Sequence, residues 1–122
     1  MTVGIAAASA NSLLDTLLTT NYIKLHTGDP GAAGATAASA NTTRVVATFA
    51  AASGGSKALN GTLPAWAAWA AGNETITHIS IWDAITAGNF KLSVALTTGK
   101  AVTNGDTLTL NTLTATLSPI AA

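Results

Sequence analysis

Apolar residues at Ala10, Leu13, Leu14, Leu17 and Leu18 repeat with the spacing of one helix face. Ser9 or Asn11 fits the start of that helix, and Asn21 fits its end. A helix this short must dock on something to persist. Leu13, Leu14 and Leu17 are its expected contribution to a core.

Everything after the helix reads as strand and turn. Residues 22–26 form a first strand, with Leu25 facing inward. They run into Thr27, Gly28, Asp29, Pro30 and Gly31. Pro followed by Gly suits a tight turn, with Pro fixing φ and Gly taking a positive one. Residues 31–43 are then a Gly/Ala/Ser/Thr tract without period, a loop or arm expected to need neighbours to order it.

Residues 44–51 are a second strand candidate, and residues 63–69 carry Trp66 and Trp69. Residues 75–82 form the strongest strand. Ile76, His78, Ser80 and Trp82 share one face, and Thr77, Ile79, Ile81 and Asp83 the other. Both faces hold apolar residues, so this strand should be central or covered on its outer face. Residues 90–96 alternate Phe90, Leu92, Val94 and Leu96 with Lys91, Ser93 and Ala95. Ile79, Ile81, Trp82, Phe90, Leu92 and Val94 complete the expected core.

Asn104-Gly105 is a hairpin signal. Beyond it the apolar phase changes from Leu108 and Leu110 to Leu113, Ala115 and Leu117, which a bulge or a bend between two strands would produce. Pro119 is the expected end of the last strand. Six to eight short strands with one N-terminal helix imply a mainly β fold, an antiparallel β-sandwich or jelly-roll-like barrel. The expectation is a single β-sandwich domain over residues 1–122, with 1–21 as N-terminal segment and helix.

Charge changes this picture. Only ten of the 122 residues are charged, five of each sign. A globule of this size exposes about 6,000 Å², so each charge would serve roughly 600 Å², the size of the largest apolar patch on a typical monomer. Such a surface suits a subunit covered by other protein. Lys24, Arg44, Lys57, Lys91 and Lys100 are scattered, which argues against a nucleic-acid partner. Met1 is followed by no basic and apolar leader pattern, and no apolar run is long enough to span a bilayer. No membrane partner is expected.

Candidate chemistry is thin. The chain has no Cys, so thiolate sites are excluded. His26 with Asp29, and His78 with Asp83, could supply a metal or acid–base site. Ser80 could join a triad only if a His and an acid converge on it. The competing structural reading is preferred: Asp29 caps its turn, and His78 takes a local hydrogen bond beside Trp82. Trp66, Trp69 and Trp82 could stack on sugars, yet Trp66 and Trp69 differ by an odd number and would face opposite ways on a strand. That argues against a flat platform. The competing reading has Trp82 fill the core and packs Trp66 and Trp69 under the helix or in an interface, and the pair stand as candidate interface residues. No catalytic residue, cofactor, metal or small-molecule substrate is expected.

Three segments together resemble a known family. They are Tyr22-Ile23-Lys24-Leu25-His26-Thr27-Gly28-Asp29-Pro30-Gly31 after a Leu-rich helix, Thr77-His78-Ile79-Ser80-Ile81-Trp82-Asp83-Ala84 with Gly88-Asn89-Phe90, and Asn104-Gly105-Asp106-Thr107-Leu108-Thr109-Leu110. Their order is similar to small virion structural proteins of tailed bacteriophages, especially those infecting actinobacteria. Members are labelled head decoration, minor capsid, minor tail or tail-fiber-like proteins. The resemblance spans roughly residues 9–118. It implies a non-enzymatic virion subunit, assembled in the host cytoplasm. The leading expectation is a capsid decoration protein that binds the outside of the major capsid lattice, as a trimer or other symmetric oligomer. The alternative is a minor tail or fiber-associated protein that touches host surface or glycan.

Overall fold

The structure is a computed structural model in which residues 3–117 are described. Pro119, the expected strand terminator, lies outside them. The fold is mainly β, with antiparallel ladders and one short helix, as the strand pattern predicts. It comprises two compact units.

The first unit holds residues 3–19, 48–63 and 110–117. Helix α1 spans Ala7–Leu17 and starts earlier than expected. Its N-cap is Ala6, without a side-chain cap. Alanines at its start are the best helix formers and sustain the extra turn. Ser9 and Asn11 are thus interior, and Asn11 Oδ1 instead accepts the Gly55 N–H at 2.9 Å. The helix ends at Leu18 rather than Asn21. There the Thr19 hydroxyl donates to the Asp15 and Thr16 carbonyls.

Ala10, Leu14 and Leu18 are buried, while Leu13 and Leu17 are 55% and 39% exposed. Only the row Ala10, Leu14 and Leu18 faces inward. Leu13 and Leu17 sit about 100° around the axis from it, which corrects their assignment to the core. The helix packs on β3 (Ser56–Ala58), which pairs antiparallel with β8 (Thr114–Thr116). The sequence reading had no strand at β3.

The second unit holds residues 20–47 and 64–109. Its four-stranded sheet runs in the order β2 (Val45–Val46), β1 (Tyr22–His26), β5 (Glu74–Trp82), β6 (Phe90–Val102). β5 is central, as its two-sided pattern requires. Ile23 pairs with Ile81, and Leu25 with Ile79. All four are at most 1% exposed and form the apolar face. Leu92 and Val94 extend that face opposite Ile81 and Ile79, yet they are only half-buried. An edge strand has neighbours on one side alone, so these two fall short of the full burial expected. Phe90 and Trp82 are also half-buried, because they lie on the other face at the strand ends.

β4 (Ala65–Trp66) pairs with β7 (Leu108–Thr109). Asn104-Gly105 therefore does not join two paired strands, since β7 leaves β6 for β4. It is still a tight turn: Gly105 has φ +93°, and Asp106 Oδ2 accepts the Thr103 N–H at 2.9 Å. The phase change near Asn111 falls in the irregular residues 110–113 between β7 and β8.

Candidate functional site

The polar face of the four-stranded sheet gathers four of the residues singled out in the sequence, His26, His78, Ser80 and Trp82. Alternation puts Lys24 and His26 of β1 on the same face as Ser80 and His78, their cross-strand partners on β5. Trp82 follows Ser80 on that face.

These side chains form a directed chain of hydrogen bonds. Trp82 Nε1 donates to Ser80 Oγ at 2.8 Å. Ser80 Oγ and His26 Nε2 are 2.7 Å apart, and His26 Nδ1 lies 2.9 Å from the Thr36 carbonyl. A carbonyl only accepts, so Nδ1 carries the ring proton. Nε2 then accepts from the Ser80 hydroxyl, whose remaining lone pairs receive the indole N–H. Every polar atom is matched by a neutral ring. Burial holds His26 below its ordinary pKa, consistent with that neutral form.

A Ser–His contact at this distance is one element of an activated nucleophile. Here both residues are fully buried, which leaves no approach for a substrate to Ser80 Oγ. The group on His26 Nδ1 is a backbone carbonyl rather than a carboxylate. The arrangement suits fixing structure.

What it fixes is the Gly/Ala tract. Thr36 belongs to that segment, so the His26 ring ties it to the sheet. The Thr27 N–H donates to the Ala37 carbonyl at 2.8 Å, and the Ser39 N–H to the Leu25 carbonyl at 3.0 Å. Gly34 has φ +70°, and a Cβ there would sit 2.4 Å from the Phe90 ring. Only glycine permits that approach. The tract is thus tied to the sheet by contacts within its own chain.

Trp82 is pinned from several sides. The Arg44 guanidinium lies 4.2 Å from its ring centroid, and Arg44 Nη1 donates to the Ala84 and Ala87 carbonyls at 2.8 and 2.7 Å. Lys24 Nζ is 5.9 Å from the same centroid, and the Phe90 ring is 5.6 Å away. Its ring is engaged by protein groups and is no free platform for sugar.

Trp66 and Trp69 are not surface residues, contrary to the expected interface role. They are 3% and 1% exposed. Trp66 Nε1 donates to the Thr43 carbonyl, and Trp69 Nε1 to the Gly72 carbonyl, at 2.9 and 2.8 Å. An indole whose N–H finds a backbone acceptor can be buried whole.

The alternative acid–histidine pairs do not form, and Asp29 and His78 take the local roles that the sequence reading prefers. Asp29 Oδ1 accepts the Gly31 N–H at 2.9 Å, in the turn where Gly31 has φ +75°. His78 Nδ1 bonds the Thr77 hydroxyl, and Asp83 bonds the Asn89 N–H and side-chain amide. Those bonds hold the Asp83 carboxyl below its usual range. Among the described residues no cluster of three His, Cys, Asp or Glu side chains could hold a metal. No helix among them is long and apolar enough to cross a membrane.

The carboxylates share one pattern that the sequence showed only in part. Asp15, Asp29, Glu74, Asp83 and Asp106 each accept a backbone N–H, from Ala52, Gly31, Ala40, Asn89 and Thr103. Cations do the converse: Arg44 and Lys91 donate to backbone carbonyls. Lys57, nearly buried, bonds Asp15 at 2.5 Å. This pair lowers the Asp15 pKa. Long-range pairings of this kind leave no signal in local sequence.

The sequence model of the family described as Podophage GP4 fiber I protein gp80 matches residues 4–118. That description is of a fiber protein, and it carries neither the actinobacterial host nor the turn motif of the expected resemblance. No curated protein matches the chain.

Proposed function

The chain belongs to the Podophage GP4 fiber I protein gp80 family, a phage virion structural family, and from that premise we propose that it is a non-enzymatic subunit of a tail-fiber assembly. The match over residues 4–118 carries this reading. It favours the fiber alternative over decoration of the capsid lattice, which has no observation of its own in support.

The chemistry of the fold agrees with a structural role. Five acids bond backbone N–H groups, and the Ser80–His26 contact is buried. Its partners are then other virion proteins, met through a charge-poor surface. The proposal includes no nucleic acid, membrane, cofactor or small-molecule substrate. Host-surface or glycan contact, if it occurs, would not use Trp66 or Trp69, which are buried.

Immunogold labelling of purified particles, with copy number from quantitative mass spectrometry, tests this. Label confined to the tail at low copy number is the expected result. Label spread over the head at hundreds of copies would overturn it and restore the decoration reading.

A further inference from the structure

The sheet order leaves β6 at one edge, with β5 its only strand partner among the described residues. An open edge strand presents unpaired N–H and C=O groups, a template for another strand. Proteins guard such edges with charge, proline or bulges. Residues 90–96 contain no proline and one charge, Lys91. Its Nζ is turned onto the Thr20 carbonyl at 2.6 Å, away from guard duty. The pairing with β5 is irregular between Phe90 and Leu92 and again between Ala95 and Lys100, so the regular open stretch runs only from Leu92 to about Leu96.

The apolar face is unfinished at this edge. Leu92, Val94 and Leu96 are half-buried, while Ile79 and Ile81 beside them are sealed. A strand added outside β6 would extend the cover.

The sequence of the edge says which strand. Leu92-Ser93-Val94-Ala95-Leu96 is symmetric in residue type about Val94. Antiparallel pairing of two copies centred there puts Val94 opposite Val94, Leu92 opposite Leu96 and Ser93 opposite Ala95. Apolar residues meet on one face and small residues on the other. Lys91 meets Thr97, so no like charges oppose. A one-residue slip would break the match. Zero net charge removes long-range repulsion between copies.

We propose that β6 pairs antiparallel with β6 of a second copy of this chain, about a twofold axis at Val94. Two four-stranded sheets become one continuous sheet. A five-residue ladder is a small interface, so pairing is expected at high protein concentration. The proposal concerns the isolated chain and stands apart from the fiber reading.

The chain lacks Cys, so a single introduced thiol reports alone. Under mild oxidation, Val94→Cys is expected to give a disulfide-linked dimer on a non-reducing gel, and Thr98→Cys none. A mixture of Ser93→Cys and Ala95→Cys should cross-link between the two variants more than within either. Far-UV circular dichroism confirms that each variant is folded, and these conservative replacements keep the test open where a bulky one would not. A folded Val94→Cys variant that stays uncross-linked at high concentration overturns the proposal. So does cross-linking of Thr98→Cys in preference to Val94→Cys, which would mean a different register.

Discussion

The two faces of the four-stranded sheet are made by the same strands and held by different physics. On one, Ile23, Leu25, Ile79 and Ile81 are sealed in cross-strand pairs. Burial there is non-directional and scales with area, about 25 cal/mol per Å². On the other, Trp82, Ser80, His26 and the Thr36 carbonyl are linked in a fixed donor order. That chain adds less stability, since a hydrogen bond replaces one made to water. It adds position instead, because each group must find its partner or pay desolvation. The apolar face sets how strongly the sheet holds. The polar face decides where the Gly/Ala tract lies.

The largest effect should come from the apolar face. Ile81→Ala removes buried methyls at the centre of the sheet and is expected to cost about 2–5 kcal/mol. Chemical denaturation of the folded chain, with the slope checked for constancy, measures it. The contrast drawn above fails if this variant is no less stable than Ser80→Ala.

Ser80→Ala should cost about 1–3 kcal/mol, the desolvation of polar partners left unmatched. His26 Nε2 loses its donor and the Trp82 indole N–H its acceptor. The sharper readout is local. Limited proteolysis within residues 31–43 should quicken in Ser80→Ala and stay unchanged in Ile81→Ala at matched stability. Equal cleavage in the two would mean that the polar chain does not position the tract.

How far the two faces were legible follows from the same contrast. Alternation in residues 75–82 and 90–96 is local, and it placed β5, the first half of β6 and the Ile79/Ile81 face. It missed the run of β6 on to Val102 and the irregularity that turns Phe90 to the other face. The helix was legible as an element, but its buried row was not. Leu13 and Leu14 look equivalent until the docking strand β3 is known. Ser80 and His26 are 54 residues apart, and no spacing rule links them. Trp66 and Trp69 misled because exposure was inferred from residue type, whereas the Thr43 and Gly72 carbonyls let both indoles go inside. The family match added what neither pattern nor packing holds, the fiber label itself.

A smaller effect separates the faces by pH. His26 is held below its ordinary pKa, chiefly because burial penalises the imidazolium. Unfolded, the ring takes a proton near pH 6.5. Between that value and the lower folded one, the unfolded chain binds more protons, so stability rises with pH across the window. This contribution is fully present above the unfolded value and is lost as pH falls through the window. The Asp15 and Asp83 carboxyls are also lowered, so they titrate below the ordinary carboxylate range of about pH 4 and stay ionised on mild acidification. Melting temperature should therefore drop on mild acidification in the wild type and in Ile81→Ala. In His26→Gln that component should be absent. An unchanged slope in His26→Gln would remove His26 from the account.

The smallest effect tests the rim of the polar face. Arg44 lies 4.2 Å from the Trp82 centroid while its Nη1 reaches two carbonyls, of Ala84 and Ala87. A guanidinium is planar and can stack and donate at once, whereas an ammonium is a strongly hydrated point charge. Arg44→Lys should cost about 0.5–1 kcal/mol, the range of a cation–π contact at a part-exposed ring. Stability alone would barely resolve it. Acrylamide quenching is the better measure, because Trp66 and Trp69 are buried and Trp82 is half-exposed. Quenching should rise in Arg44→Lys with the buried pair silent. If it does not, the stack does not shield Trp82 in solution, and the polar face depends on the Ser80–His26 chain without it.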